Sequence, residues 1–270
     1  MRTVLMLSLL ASGAWTPASV EKWRADYEAG LKSPDGWLSV AGLFWLREGA
    51  NKVGSDAQSD VVLPAGTPAH AGVLRLESGA VTFEPAAGAK VALKPDSADS
   101  VKLGDVVMTS IGRGGRTGAR LRDPNAATRR EFTGCRWFPV GESWHVKARW
   151  VAYPEPKKVA ILNILGMTSE EPSPGYAEFT LLGRPIKLEP VVEDDQLFFM
   201  FKDATSGRST YAAGRFLYAD MPKDGTVDLD FNKAKNPPCA FTAYATCPLP
   251  PKQNTLPVAV EAGEKKYGPH

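Results

Sequence analysis

The last quarter of the chain opens with the stretch Phe201-Lys-Asp203-Ala-Thr205-Ser-Gly207-Arg-Ser-Thr210-Tyr211-Ala-Ala-Gly214-Arg215-Phe-Leu217. Its two apolar ends have the composition of short β-strands. The glycines and short polar side chains between them are typical of turns. The stretch therefore predicts a β-rich fold in which polar side chains gather where strands end.

Strands of the same kind fill most of the chain on both sides of this stretch. The predicted strands cover residues 73–77, 80–84, 90–93, 106–109, 119–122, 145–153, 159–165, 176–181, 186–189, 196–201, 215–218, 226–230 and 256–261. Ser78-Gly79 joins the first two as a hairpin. No helical spacing separates the strands, which argues against a parallel βαβ sheet. The sequence therefore predicts a mainly β fold, either an antiparallel barrel or a sandwich.

One helix is predicted near the N-terminus, over residues 19–32. Trp23, Tyr27 and Leu31 recur every four residues and form an apolar stripe along one face. Ser19 is the predicted N-cap. We expect this helix to cover a sheet edge or a barrel mouth, within a single β-rich domain over residues 19–270.

Residues 1–18 have the pattern of a secretory signal peptide. Arg2 precedes a short apolar run over residues 4–11, and small residues follow it, with cleavage sites after Ala14 or Ala18. The alternative is a buried or frayed N-terminal segment. The run is too short to span a bilayer, and no other stretch approaches that length. We therefore expect a periplasmic or secreted protein with no membrane span in the mature chain.

The charge balance argues against nucleic acid as a partner. The formal net charge is +2 over 270 residues, whereas binding to a phosphate backbone needs a basic stripe. Hydrophobic residues at 43% and charged residues at 23% are ordinary values for a globular protein. Neither a cofactor nor an oligomeric state follows from these numbers.

The spacing of metal-ligand residue types gives little support to a metal site. The histidines are His70, His145 and His270. None lies four residues from another, so a zinc site of the usual kind is not predicted. A hard cation held by Asp203, Asp230 and Asn232 is an open but generic alternative.

Two features of the N-terminal half allow a ligand site but favour plainer roles. Residues 112–118 are rich in glycine and arginine, yet they lack the strand-loop-helix context of a phosphate-binding loop. We interpret them as a flexible turn with solvated arginines. Trp37 and Trp45 could line a pocket, although aromatic side chains are more often plain core residues.

Polar side chains suited to a site concentrate in the last quarter of the chain. The predicted ligand-binding residues are Asp203, Thr205, Thr210, Tyr211, Arg215, Asp230, Asn232, Asn236 and Glu264. If residues 210–215 form a strand, Tyr211 and Arg215 project from one face. The planar guanidinium of Arg215 matches carboxylate or phosphate geometry. The leading hypothesis is a small-molecule site with an anionic ligand as an option, with enzymatic activity left open and no catalytic residue assigned.

The competing hypothesis is a non-catalytic structural or interaction module whose polar cluster only locks the C-terminal strands. Turn Asp and Thr commonly hydrogen-bond their own backbone. A binding site needs the guanidinium of Arg215 to be partly exposed in a concavity. A lock needs it to be buried against Asp203 or Asp230. The exposure of Arg215 therefore separates the two hypotheses.

The cysteines give a disulfide prediction. They are Cys135, Cys239 and Cys247. In an exported protein, two cysteines separated by seven residues predict a Cys239–Cys247 disulfide, which leaves Cys135 free. Cys239 as a nucleophile is the alternative, but it needs a base such as His145 nearby.

Several motifs in the last quarter carry a family resemblance. They are Asp203-x-Thr205-x-Gly207-x-x-Thr210-Tyr211-x-x-Gly214-Arg215, Asp230-Phe-Asn232, Asn236-Pro-x-Cys239-Ala, Cys247-Pro-Leu-Pro-Pro-Lys-Gln-Asn254 and Ala262-Gly-Glu264-Lys265. The pattern resembles DUF1684, a bacterial and archaeal family of unknown function, most specifically over residues 201–267. The resemblance implies a shared, mainly β fold and no particular reaction. Cytoplasmic relatives in that family also carry both cysteines, which weakens a purely disulfide explanation for them.

Overall fold

The structure is a computed structural model that describes residues 15–268. Arg2 and the apolar run of the predicted signal peptide lie outside these residues. None of the helices within residues 15–268 has the length and apolar composition needed to cross a membrane.

Strands dominate the described part of the chain. They are β1 (Val40–Trp45), β2 (Gly49–Gly54), β3 (Val61–Val62), β4 (Gly72–Glu77), β5 (Ala80–Pro85), β6 (Val91–Ala92), β7 (Ser100–Leu103), β8 (Val106–Arg113), β9 (Arg116–Arg122), β10 (His145–Leu162), β11 (Thr168–Leu181), β12 (Arg184–Leu188), β13 (Val191–Glu193), β14 (Gln196–Phe201), β15 (Arg215–Ala219) and β16 (Thr226–Asp230). The helices are α1 (Pro17–Lys32), the single turn α2 (Ala127–Arg130) and the 3-10 helices η1 (Trp37–Ser39), η2 (Glu142–Trp144), η3 (Phe231–Lys233), η4 (Pro238–Ala240) and η5 (Lys252–Asn254). The prediction of a mainly β fold with one N-terminal helix is confirmed.

The strands form open sheets. Their orders are β1-β9-β8-β7, β12-β11-β10-β16, β13-β14-β15 and β3-β2-β4-β5-β6. The pairs are antiparallel except for the short parallel pair of β2 and β3. Within residues 15–268 no sheet closes on itself. Of the two predicted alternatives, the fold therefore fits a sandwich of open sheets and not a barrel.

One apolar core lies between the sheet β12-β11-β10-β16 and the sheet β13-β14-β15. Leu197, Phe199 and Phe201 of β14 pack into this core. Phe198 and Met200 pack on the opposite side of the same strand. A strand that is covered on both faces has a continuous apolar run rather than an alternating one. This burial explains the uninterrupted apolar sequence of β14.

A second apolar core lies in the N-terminal half, between the other two sheets. Phe83 of β5 and Met108 of β8 are almost fully buried there. The hairpin of β4 and β5 turns at Ser78 and Gly79, whose φ values are 51° and 87°. Positive φ at both positions is the geometry of a two-residue hairpin turn, so the predicted hairpin is confirmed.

Helix α1 begins two residues earlier than the sequence predicts. Its N-cap is Thr16, whose hydroxyl oxygen accepts from the backbone N–H of Ser19. The Ser19 hydroxyl oxygen accepts in return from the Thr16 N–H. Ser19 therefore completes a capping box three residues into the helix instead of serving as the N-cap.

The residue before this cap, Trp15, is also fixed to the folded protein. Its Nε1–H donates to Oδ2 of Asp230 over 3.0 Å, and its ring stacks on His145 with centroids 5.3 Å apart. Residues 15–18, predicted as the end of the signal peptide, thus belong to the start of the helix and its contacts.

Residues 256–261 form no strand, which corrects the sequence prediction. Leu256 and Val258 are buried in the sandwich core, and this alternate burial produced the strand-like pattern. The backbone makes only scattered bonds: Leu256 N–H donates to Lys202 O, and Ala204 N–H donates to Val258 O. The alternation reflects which side chains are buried, without a continuous strand ladder.

Candidate functional site

Arg215, the residue on which the two functional hypotheses depend, is fully buried. Its side chain is 1% exposed. Nη2 donates to Oδ2 of Asp203 and to the Val260 carbonyl, each over 2.9 Å, and Nη1 donates to the Ala262 carbonyl. The partly exposed guanidinium that the site hypothesis requires is therefore not found. Burial against Asp203 is the arrangement that the lock hypothesis requires.

The predicted strand over residues 210–215 is also absent. Residues 211–214 form a turn, and β15 begins at Arg215. Tyr211 and Arg215 therefore do not project from one strand face. The Tyr211 hydroxyl donates instead to the Cys239 carbonyl over 3.3 Å.

Asp203 is saturated by groups of its own turn and of the C-terminal chain. Its Oδ1 accepts from the Thr205 N–H over 2.8 Å, from the Thr205 hydroxyl over 2.6 Å and from the Val260 N–H over 3.2 Å. The hydroxyl oxygens of Thr205 and Thr210 lie 2.8 Å apart. This network, the Asp203 cluster, fastens the C-terminal chain to the loop between β14 and β15.

Asp230 and Asn232 form a second buried group, the Asp230 cluster. Oδ1 of Asp230 accepts from Nδ2 of Asn232 over 2.8 Å. The Asn232 side chain exchanges two 2.9 Å hydrogen bonds with the backbone of Gly141. Nη2 of Arg24, from α1, donates to the Asn232 carbonyl over 3.2 Å. These contacts attach the N-terminal helix to the end of β16.

Glu264 and Asn236 form a third buried group, the Glu264 cluster. Oε2 of Glu264 accepts from the Asn236 N–H over 2.7 Å, and Nδ2 of Asn236 donates to the Lys265 carbonyl over 2.8 Å. Glu264 is 0% exposed. Burial raises the pKa of Glu264 to about 7, against the opposing effect of the Asn236 N–H. This carboxyl group therefore titrates close to neutral pH.

The predicted ligand-binding residues are thus divided among buried clusters instead of facing one open pocket. Asp203 and Asp230 lie in different clusters, so the generic cation site that combined them is not assembled. Among residues 15–268, no three His, Cys, Asp or Glu side chains come together as metal ligands.

A cavity of about 710 Å³ lies between the N-terminal half and the C-terminal sandwich. Its apolar lining includes Ile161, Val191, Phe198, Met200 and Phe216. Trp37 lines it as well and also packs against two apolar clusters, so it combines a core position with a place on the cavity wall. Asn236 is the predicted ligand-binding residue that reaches the cavity wall. We call this space the central cavity.

Arg120 of β9 contributes a buried cation to the wall of the central cavity. It is 7% exposed, and its side chain makes no hydrogen bond or ion pair within residues 15–268; Nε and Nη2 are buried without a partner. The guanidinium carbon lies 5.2 Å from the ring centroid of Trp37. Burial lowers the pKa of Arg120 to about 10, with Arg122 and Arg113 acting in the same direction. Arg120 is therefore a cation at neutral pH and lacks an acidic partner in the described chain.

Lys235 contributes a second cation to the central cavity. Its Nζ lies 5.3 Å from the ring centroid of Tyr27 and 4.7 Å from that of Tyr218. Burial lowers the pKa of Lys235, while Glu193 and Glu264 oppose this shift. The side chain is half-buried and forms no hydrogen bond or ion pair with any described residue.

Acidic side chains lie at the more exposed part of the lining. Glu193 and Asp194 are exposed and Glu171 is half-buried, whereas Arg120 is buried. The Tyr218 hydroxyl donates to Oε2 of Glu193. Exposed acids are well solvated, so the buried part of the cavity has a positive character.

Cys239 and Cys247 are neighbours at the same cavity. Cys247 lines it, and the Cys239 N–H donates to Sγ of Cys247 over 3.1 Å. A hydrogen bond from the Cys247 thiol lowers the pKa of Cys239. Both are free thiols in the structure, so the disulfide is not formed there and stays a prediction. His145 stacks on Trp15 and makes no hydrogen bond to Cys239.

A smaller cavity of about 530 Å³ lies in the N-terminal half, lined by residues that include Lys52, His70 and Glu84. Its main acid, Glu84, is already engaged by Arg75 over 3.0 Å and by Lys90 over 2.5 Å. No buried side-chain atom without a partner belongs to its described lining. The central cavity is therefore the stronger candidate site.

The sequence did not identify Arg120 or Lys235 as site residues. Solvated arginines are predicted in residues 112–118, and Arg116 fits this, since it is exposed over the ring of Trp45. Arg113 does not, because it is half-buried, lines the central cavity and pairs with Asp96 over 2.7 Å. Arg120 follows on the same strand, but β9 is buried on both faces from residue 118 to residue 121. The signal in the sequence that could have indicated a buried arginine is its small and apolar neighbours, Gly118, Ala119 and Leu121.

The comparisons with known proteins agree with the motif pattern. The family model described as a protein of unknown function, DUF1684, matches residues 130–265, and the chain belongs to this family. A solution NMR structure of an uncharacterized protein from Haloarcula marismortui is 30% identical in sequence. The match covers 53% of this chain and 81% of that one, with a TM-score of 0.44. No curated protein matches the chain.

Proposed function

We propose that the protein is exported and binds a small anionic molecule in the central cavity, with Arg120 holding the acid group. Export is supported by Arg2, the apolar run after it and the small residues that follow. In this proposal the Asp203, Asp230 and Glu264 clusters have structural roles, and the ligand is bound elsewhere.

The observation that carries the proposal is the unpaired guanidinium of Arg120. Moving a charged group out of water costs several kcal/mol unless a partner compensates it. Asp203 is that partner for Arg215, whereas Arg120 has none among residues 15–268. A ligand carboxylate or phosphate would supply two acceptors in the plane of the guanidinium.

The size and lining of the central cavity suit a small organic ligand. Its volume of about 710 Å³ falls within the usual range for such sites, roughly 300–1,000 Å³. Apolar and aromatic walls with a few convergent polar groups are typical of ligand pockets. Such walls also exclude water, which strengthens the attraction between Arg120 and an acid group.

Isothermal titration calorimetry with a panel of carboxylates and inorganic phosphate tests this proposal. We expect the wild-type protein to bind at least one of these anions at one site, and the Arg120→Met variant to lose that binding. Arg116→Met removes an exposed arginine outside the cavity and should bind as the wild type does. Failure of every anion to bind the wild type would overturn the proposal.

A further inference from the structure

We propose that the ligand of the central cavity carries two separate acid groups, one held by Arg120 and the other by Lys235, joined by an apolar body. This inference rests on the proposed function and specifies the class of ligand. It is drawn from the unused hydrogen-bonding capacity of Lys235.

The ammonium group of Lys235 lies over two aromatic rings and makes no hydrogen bond or ion pair with a described residue. The rings of Tyr27 and Tyr218 lie on the cavity wall and interact with its charge. Rings do not satisfy the three N–H donors of an ammonium group. Because no described side chain accepts from Lys235, these donors remain free for a ligand.

The acids that influence Lys235 are both engaged elsewhere. Glu193 is exposed and accepts the hydroxyl of Tyr218. Glu264 is fully buried, accepts the Asn236 N–H and does not line the cavity. Neither forms an ion pair with Lys235. Among the described residues, Arg120 and Lys235 are therefore cations of the cavity wall without an ion-pair partner, whereas Arg113 on the same wall pairs with Asp96.

The rest of the lining indicates what joins the two acid groups. One part of the wall is apolar, formed by side chains such as Phe198, Met200 and Phe216, whereas polar residues such as Asn163, Ser169 and Asn236 line the remainder. A body of alkyl or aromatic carbon gains affinity when it is buried against such a wall, in proportion to the apolar area removed from water. A second polar centre in the body would lose its hydration there.

A matched pair of ligands isolates the contribution of Lys235. Suberate and suberic acid monoamide differ at one end only, where an amide replaces a carboxylate. Calorimetric titration at pH 7 should give a Kd for suberate roughly 10-fold or more below that of the monoamide in the wild type, as a charge-assisted hydrogen bond implies. Diacids from succinate to azelate locate the best spacing, and an ω-phosphono acid of that spacing tells a phosphorylated ligand from a dicarboxylate.

The variants Lys235→Gln and Lys235→Met should reduce this preference to within about 2-fold while monoamide binding persists; the Met variant retains a long apolar side chain if the Gln variant folds poorly. Lys265→Gln is the matched control, because Lys265 also lies over an aromatic ring, that of Phe138 at 4.7 Å, but not on the cavity wall. The Lys265→Gln variant should keep the full preference for suberate over the monoamide.

The outcomes separate this inference from the proposed function. If both ligands bind the wild type equally, or if the preference for suberate persists in both Lys235 variants, the two-acid inference is overturned while the Arg120 site stands. If no acid of the series binds the wild type, the proposed function fails and the inference fails with it.

Discussion

Arg215 and Asp203 form an ion pair over 2.9 Å, and each side chain is only 1% exposed. Arg120 is buried to a similar degree and has no acidic partner among the described residues. A paired buried arginine is part of the folded architecture. An unpaired one that lines a cavity is available to bind. The sequence favours Arg215 as the ligand-binding arginine, whereas this contrast gives Arg215 a structural role and leaves Arg120 as the arginine of the proposed site.

Replacing Arg215 should destabilise the protein strongly. Arg215→Ala leaves the Asp203 carboxylate buried without its cation, which costs roughly 3–5 kcal/mol. Denaturant unfolding, followed by circular dichroism, measures this loss. The exposed Arg208 supplies the control, because Arg208→Ala should change the free energy of unfolding by less than about 0.5 kcal/mol. A near-neutral Arg215→Ala variant would refute the structural role of this pair.

The stability of the protein should fall as the pH rises towards neutrality, through Glu264. Its pKa is about 7 in the folded protein and 4.5 in the unfolded chain, so the folded state binds more protons between these values and stability declines across that window. Glu264→Gln should remove this decline and raise stability at pH 8 by an amount on the order of 3 kcal/mol. Exposed Glu261→Gln is the control. Equal pH profiles for the wild type and Glu264→Gln would show that the carboxyl group does not titrate in this range.

The mature protein should begin at Trp15. Cleavage after Ala14 keeps the Trp15 hydrogen bond to Asp230 and the Thr16 cap of α1, whereas cleavage after Ala18 removes both. Loss of the cap alone costs roughly 0.5–2 kcal/mol. Intact-mass measurement of the protein from its native host gives the N-terminus directly. A chain that starts at Ser19 would contradict the cap argument, and a soluble mature pool that retains Met1 would contradict export.

Cys239 and Cys247 should form a disulfide in the exported protein. The backbone N–H of Cys239 already contacts Sγ of Cys247 over 3.1 Å, and an oxidising compartment favours the bond. Non-reducing peptide mapping should recover the two cysteine peptides as one linked species, with Cys135 alkylated. Recovery of both as free alkylated thiols would show that the pair stays reduced.

The sequence predicts several strands accurately because their signal is local, although residues 145–153 and 159–165, predicted as two strands, belong to the single strand β10. Residues 196–201 and 226–230 are strands within the bounds that composition and turn residues indicate. The strand prediction for residues 256–261 is wrong, because side chains that are alternately buried in a sandwich core give an alternating apolar pattern even where the backbone does not pair. Thr16 was missed as the N-cap because the signal-peptide pattern overlaps the start of the helix.

The candidate site was predictable only in part. Asn236 lies on the cavity wall and belongs to a motif that the sequence shows, and Lys235 precedes it directly. Arg120 comes from a strand of the N-terminal half, far away in the chain, so only the packing of the two halves brings it to the same cavity as Lys235. The polar residues of the Asp203 cluster look like site residues in sequence because buried hydrogen-bond networks use the same residue types as binding sites.

The most direct test of the ligand-binding account is the free energy of unfolding of Arg120→Met and the wild type, each measured with and without a saturating anion that binds the wild type. Without the anion, the variant should be at least as stable as the wild type and gain on the order of 1 kcal/mol, because an unpaired buried charge is removed. With the anion at 100 times its Kd, the wild type should gain about 2.7 kcal/mol, and the variant should gain nothing. A variant that is destabilised without the anion, and that the anion still stabilises as much as the wild type, would contradict the account.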